Sequence, residues 1–208
     1  MDEAEPRSQE AITAAAADWP DVERLFGVRG EPSRCWCRFF ALTNSEWSAT
    51  TPDQRKVQLR EKFDGGRPAP GVLAFHAGDP VGWCAVEPRE CYPRILRSKV
   101  LAAAQKAASE AEHPWSVSCF VVAPGHRRTG VAGALLAAAV EHAFAHGATV
   151  VEAYPVDPAQ RPKAGPADLY HGTLGLFVAA GFEVVSEAVP GRAVVRLTAP
   201  PTGADRGS

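Results

Sequence analysis

The sequence predicts an α/β fold of the α+β type, a mixed sheet with helices packed on its faces. Helical and strand-like stretches are interspersed along most of the chain, and two of the strands are joined by a short Gly-containing turn that makes an antiparallel hairpin. No internal repeat is evident. The chain has 208 residues, 46% hydrophobic and 22% charged, the profile of an ordinary globular protein. At this length a fold buries roughly 70% of the surface its unfolded chain exposes, so it needs neither disulfides nor metal to hold a core.

The elements follow in order. Residues before about Asp18 and after about Pro200 carry Ala, Pro, Gly and charges without apolar periodicity. Residues 1–17 and 200–208 therefore read as loosely ordered, leaving a single domain over 18–199. Asp18 can cap a short helix through Phe26, and Thr51 a second from Pro52 to Phe63. Gly65 to Gly71 breaks the chain before Val72 to His76 and Val81 to Val86, which pair as the hairpin across Ala77-Gly78-Asp79-Pro80. That hairpin ends at Glu87-Pro88. An Ala-rich helical stretch, Leu96 to Glu110, leads into a strand from Trp115 to Val122, stopped by Ala123-Pro124-Gly125. Gly130 to His146 is a long apolar helix closed by Gly147, and Thr149 to Tyr154 is the next strand. Leu169 to Ala180 has helical spacing up to Gly181, and Phe182 to Val185 and Ala193 to Leu197 are the last strands.

Charge and composition exclude several functions. With 22 Lys+Arg against 24 Asp+Glu, the formal charge of -2 offers no footprint for nucleic acid or for an anionic membrane. The apolar stretch Ala11 to Ala17 lacks a basic flank and is too short to span a bilayer, so a cytoplasmic location is expected. Five cysteines at scattered spacings read as reduced thiols. Cys35-Trp36-Cys37 without a second pair is weak as a metal site, and nothing beside it announces a redox or nucleophilic role. Metal ligands are accordingly none.

The chemistry-bearing segment runs from Cys119 to Ala148, where strand, turn and helix follow without interruption. A turn of Arg127, Arg128, Thr129, Gly130 and Val131 that opens a helix offers unpaired backbone N–H groups at the positive end of the helix dipole. Such a turn is an anion site. Gly130 admits close approach of a pyrophosphate, small Ala132 and Gly133 let a ligand lie near the helix axis, and both arginines can add charge-assisted contacts. The Lys-Ser/Thr pair of a nucleotide P-loop and the three-glycine dinucleotide fingerprint are both absent.

Arg127-Arg128-Thr129-Gly130-Val131-Ala132 resembles the Arg/Gln-x-x-Gly-x-Gly/Ala motif of the GNAT acetyltransferases. The hairpin upstream, the strand ATVVEAYP and the late GLFVAAGF stand in that family's order, so the resemblance covers roughly Val72 to Leu197. It implies a mostly antiparallel sheet with one splayed strand pair. It further implies that Phe120, Val121 and Val122 bind the pantetheine arm of acetyl-CoA through their main chain. Free N–H groups at the splay would steady the oxyanion, each for about 2.7 to 4 kcal/mol.

The expected reaction is direct transfer of acetyl from acetyl-CoA to a primary amine of a small molecule, which leaves room for a homodimer. Deprotonating a Lys-like ammonium at pH 7 costs roughly 4 to 5 kcal/mol, so Glu87 and Glu152 are candidate bases. Many family members carry Tyr where this chain has Phe177; Phe177 can pack on the cofactor arm, with Tyr154 or Tyr170 as substitute donor. Trp36, Phe40, Trp47 and Trp83 are candidates for an apolar acceptor pocket. The alternatives are a non-catalytic acyl-CoA sensor or interaction module, motivated by Phe177, and a flavin- or nicotinamide-linked enzyme, disfavoured by the glycine spacing.

Overall fold

The computed structural model describes residues 11–27, 30–98, 113–163 and 165–200, apart from the side chains of Pro166 and Ala167. The elements are β1 (Thr13–Ala16), α1 (Trp19–Phe26), α2 (Glu31–Cys35), α3 (Asn44–Ala49), α4 (Pro52–Asp64), β2 (Gly71–His76) and β3 (Asp79–Pro88). There follow α5 (Pro93–Leu96), β4 (Pro114–Val122), α6 (Val131–Ala145), β5 (Val150–Ala153), α7 (Pro166–Leu169), α8 (Leu174–Ala179), β6 (Glu183–Val189) and β7 (Arg192–Thr198). The strands form one seven-stranded sheet in the order β1-β2-β3-β4-β5-β7-β6. Only β4 and β5 run parallel; every other neighbouring pair is antiparallel.

Local chemistry explains the helix starts. The Asp18 carboxylate accepts the Asp21 N–H and begins α1, and Thr51 with Gln54 forms a capping box at α4. The hairpin between β2 and β3 closes through Ala77 and Gly78, both left-handed at φ 52° and 78°, as a two-residue turn that matches strand twist requires.

Side chains alternate between two cores. Val72, Ala74, Cys84 and Val86 face α6, whose Val131, Leu135, Leu136 and Ala139 are buried against them. Leu73, Trp83 and Ala85 point the other way, onto Val22 and Phe26 of α1 and Leu59 of α4.

Three expectations are corrected. Residues 1–17 do not read through as loose chain: Thr13–Ala16 pairs antiparallel with Val72–Phe75 as the edge strand, and Ala17 is buried. Ala-rich composition hid a strand whose stability comes from pairing rather than propensity. The helix over Leu169–Ala180 is broken into α7 and α8, because Gly172 is left-handed (φ 75°) and Val156 pairs with Thr173. The periodicity also gave no sign of α2 and α3. Most of the Leu96–Glu110 stretch, and residues 1–10 and 201–208, lie outside the described residues.

Gly71 tests the packing between β2 and β3. A Cβ there would run into the Cys84 carbonyl oxygen and come within 2.7–2.8 Å of the Trp83 ring. Gly71→Ala is expected to cost about 1–3 kcal/mol in urea denaturation, while Gly125→Ala, whose Cβ would meet nothing within 4 Å, costs less than about 0.5 kcal/mol.

Candidate active site

The site begins with an irregularity in β4. Ala85 pairs with Cys119 but Val86 pairs with Val117, so Ser118 is one residue too many and forms a bulge. The bulge turns Ser118 and Cys119 onto the same face. Beyond it β4 loses its other neighbour: β5 pairs only with Pro114–Val117, through Val150–Ala153. Ala123 N–H donates to the Val81 carbonyl, and alternation then directs the main chain of Cys119 and Val121 toward β3 and that of Phe120 and Val122 toward the open side. The Phe120 N–H on that side donates to the Tyr170 carbonyl at 2.7 Å.

At the end of β4, Gly130 caps α6 in a left-handed conformation (φ 89°), with no side-chain cap. The amides of Val131, Ala132 and Gly133 therefore have no intrahelical acceptor. A Cβ on Gly130 or Gly133 would meet nothing within 4 Å. Arg127 and Arg128 are exposed beside it, and the Thr129 hydroxyl donates to the His126 carbonyl and braces the turn. Val131 itself is buried, leaving only its amide for a ligand. The turn and open edge fit a phosphate-bearing chain laid along β4.

On the face opposite α6, a cavity of about 380 Å³ abuts the same strand, lined in part by Cys119, Val121, Tyr170 and His171. Its far wall is aromatic: Phe39 packs edge-on against Phe40 and Trp47, with centroids 5.0 and 5.3 Å apart. Guanidiniums hold these rings from behind. Arg94 lies 3.9 Å from the Phe39 centroid and Arg55 3.5 Å from that of Trp47. Arg55 also donates to the carbonyls of Arg34, Trp47 and Thr50, locking α2, α3 and α4 together.

Trp36 and Cys37 are consecutive left-handed residues (φ 47° and 45°), a conformation costing roughly 1–2 kcal/mol per residue. Stacking of Trp36 on Trp19 and Phe26 sustains it, and it brings the Cys37 thiol to 3.3 Å from the Cys119 sulfur. Burial pushes the Cys35 thiol up to about 11, and the hydrogen bond with Cys119, followed by burial, drives Cys37 well above its usual range. These two thiols stay protonated and are poor nucleophiles. Among the described residues, no three His, Cys, Asp or Glu side chains converge as metal ligands.

His171 is the titratable group of the cavity wall that stands apart. It packs on Phe40, and its Nδ1 is buried without a partner. Burial pushes its pKa down to about 4, with Arg192 acting in the same direction, so the ring is neutral at pH 7. The Ser118 and Tyr92 hydroxyls are likewise buried and lie beside each other, and the Ser118 backbone hydrogen-bonds the His171 ring. Three buried or half-buried polar side chains thus gather at the bulge.

The carboxylates expected as bases lie elsewhere. Glu87, next to Ser116 in register, is tied to Lys62 Nζ at 2.6 Å. Glu152 is 1% exposed and shared by Arg196 (2.8 Å) and Arg89 (3.4 Å). It also accepts from the Tyr154 hydroxyl, which pairs with Ser116; burial, and then Glu152, raise the Tyr154 pKa well above 10. None of the three lines the cavity. Glu152, Tyr154 and Ser116 form a hydrogen-bonded cluster with Arg196 and Arg89, and Glu87 stands apart from it on Lys62. Trp36 and Trp83 are core residues, not pocket walls, whereas Phe40 and Trp47 do line the cavity. Phe177 is fully buried between Phe120 and Phe182.

A family model described as the acetyltransferase (GNAT) family matches residues 36–164. The chain belongs to the GNAT acetyltransferase family. Solved structures agree with its fold. The Salmonella typhimurium protein yncA, solved with its cofactor acetyl-CoA, shares 16% identity over 95% of this chain and 99% of its own, at a TM-score of 0.52. A ribosomal-protein-alanine N-acetyltransferase from Brucella melitensis gives 18% identity, 89% and 99% coverage and 0.52. The Drosophila melanogaster polyamine N-acetyltransferase gives 12%, 91% and 100%, and 0.53. Comparison with curated protein sequences finds no significant match. No helix among the described residues of this GNAT protein is long and apolar enough to cross a membrane.

The buried imidazole makes stability depend on pH. Below pH 6.5 the unfolded chain protonates His171 while the folded chain does not until about pH 4, so stability rises with pH across that window. Acidification from pH 7 to 5 is expected to cost about 2 kcal/mol through this group. His142, whose pKa burial also lowers, adds in the same direction. Chemical denaturation at both pH values should show a flatter dependence in His171→Gln; an unchanged dependence refutes the assignment.

Proposed function

We propose that this protein transfers acetyl from acetyl-CoA to a primary amine of a small molecule by direct attack in a ternary complex. One observation carries the reading: Cys119 and Val121 line the aromatic cavity while the main chain of the intervening Phe120 faces the open edge. Donor and acceptor sites therefore meet at a single residue of β4.

In this reading Arg127, Arg128 and the amides from Thr129 to Ala132 hold the phosphates, and the open edge at Phe120 and Val122 aligns the pantetheine arm. The Phe120 N–H is positioned to steady the oxyanion once the Tyr170 carbonyl moves aside, a contribution of about 2.7–4 kcal/mol. Departure of the thiolate needs no strong acid, since a Cys-like thiol has a reference pKa of about 8.5. The amine is handled by environment rather than by a dedicated carboxylate. Burial among aromatic rings and guanidiniums lowers the pKa of an entering ammonium, and His171 Nδ1 accepts a hydrogen bond from the neutral amine. The protonated thiols of Cys35 and Cys37 are not needed as acyl carriers. Unpaired cysteines suit a reducing, cytoplasmic setting.

Calorimetric titration with CoA and acetyl-CoA tests the donor site. Reversing both charges, Arg127→Glu with Arg128→Glu, is expected to weaken CoA at least about tenfold, because each charge-assisted hydrogen bond is worth about 1.5–3 kcal/mol. Gly130→Trp should abolish binding in a protein that still melts cooperatively. Folded wild type that binds neither ligand would refute the reading.

A further inference from the structure

We infer that the acceptor is an aliphatic primary amine that carries both an aromatic ring and a carboxylate, as an aromatic amino acid does. This rests on the acetyl-transfer reading above and names its acceptor. The aromatic half follows from the cavity wall, where Phe39, Phe40 and Trp47 form a cup whose outer faces are held by Arg94 and Arg55. Rings fixed in this way present preformed edges and faces to a planar guest, with little ordering left to do on binding.

The carboxylate half follows from charge. Arg34 and Arg192 line the cavity with Glu31 as the acidic residue among its walls. Arg34 and Glu31 form a loose, exposed pair at 3.8 Å. Arg192 shares Asp168 with Arg161, at 3.0 and 3.4 Å respectively, so two guanidiniums divide one carboxylate. Among the residues that line the cavity, two guanidiniums thus stand against one carboxylate. A polyamine would meet like charge there, whereas a carboxylate would complete the Arg192 pairing with the bidentate geometry that guanidiniums favour.

Calorimetry on the full chain saturated with CoA, using L-phenylalanine, phenethylamine and L-alanine as probes, tests both halves. L-phenylalanine is expected to bind at least tenfold more tightly than either of the others, and the ratio of its affinity to that of phenethylamine should fall at least tenfold in Arg192→Gln. Phenethylamine binding as tightly as L-phenylalanine overturns the carboxylate assignment, and L-alanine doing so overturns the aromatic one. CoA bound with no probe bound overturns the acceptor class alone; failure to bind CoA overturns the acetyl-transfer reading beneath it. The wild-type comparison decides the matter even if Arg192→Gln does not fold.

Discussion

The bulge at Ser118 is the constraint on which the rest of the site depends. A strand inserted between β3 and β5 would ordinarily be saturated on both edges, leaving no main-chain group for a ligand. One extra residue changes this in two ways. It sharpens the local twist of β4 just where β5 parts from it, after Val117 and Ala153. It also places Ser118 and Cys119 on one face, so the cavity reaches the open edge instead of being walled from it. An isolated hairpin could not hold such a defect. Here β3 pairs with β4 on both sides of it, from Gly82–Val122 to Pro88–Trp115, and α6 covers the opposite face.

The charges around the bulge are arranged so that the acids are occupied and a neutral imidazole remains. Lys62 holds Glu87, and Arg89 and Arg196 hold Glu152. A buried carboxylate is tolerable only when so paired, since an unpaired one would cost several kcal/mol. His171 meets the opposite fate: desolvation beside Arg192 disfavours its charged form, leaving a lone pair available at neutral pH rather than a bound proton.

Sequence patterning disclosed the parts of this arrangement that local rules govern. Gly130 and the arginines before it, the Asp18 and Thr51 caps, the hairpin turn and the long apolar α6 all depend on a few adjacent residues, and all stand close to their expected places. The cavity depends on distant pairings and was largely illegible. Trp36 and Trp47 look alike as isolated aromatics, yet one stacks on Phe26 in the core and the other meets Arg55 at the cavity. Glu152 resembles a free strand carboxylate until Arg196, on the neighbouring strand, is brought beside it. His171 was missed because helical spacing ran straight through it. The signal that could have exposed it was Gly172, a residue that costs about 1 kcal/mol inside a helix and is at home in a left-handed break.

That break also explains how the open edge of β4 avoids the usual liability of an unpaired strand. Gly172 turns the chain so that the Tyr170 carbonyl reaches the Phe120 amide, and Val156 clamps the turn by accepting from Leu174 and donating to Gly172. An amide already satisfied by one carbonyl can exchange it for another at the cost of only the difference between two similar hydrogen bonds, each worth a net 0.5–1.5 kcal/mol or so. An amide left bare would instead invite pairing with another chain. The loop thus guards the edge through the Tyr170 carbonyl, while Tyr170 and the adjacent His171 line the cavity on the strand's other side.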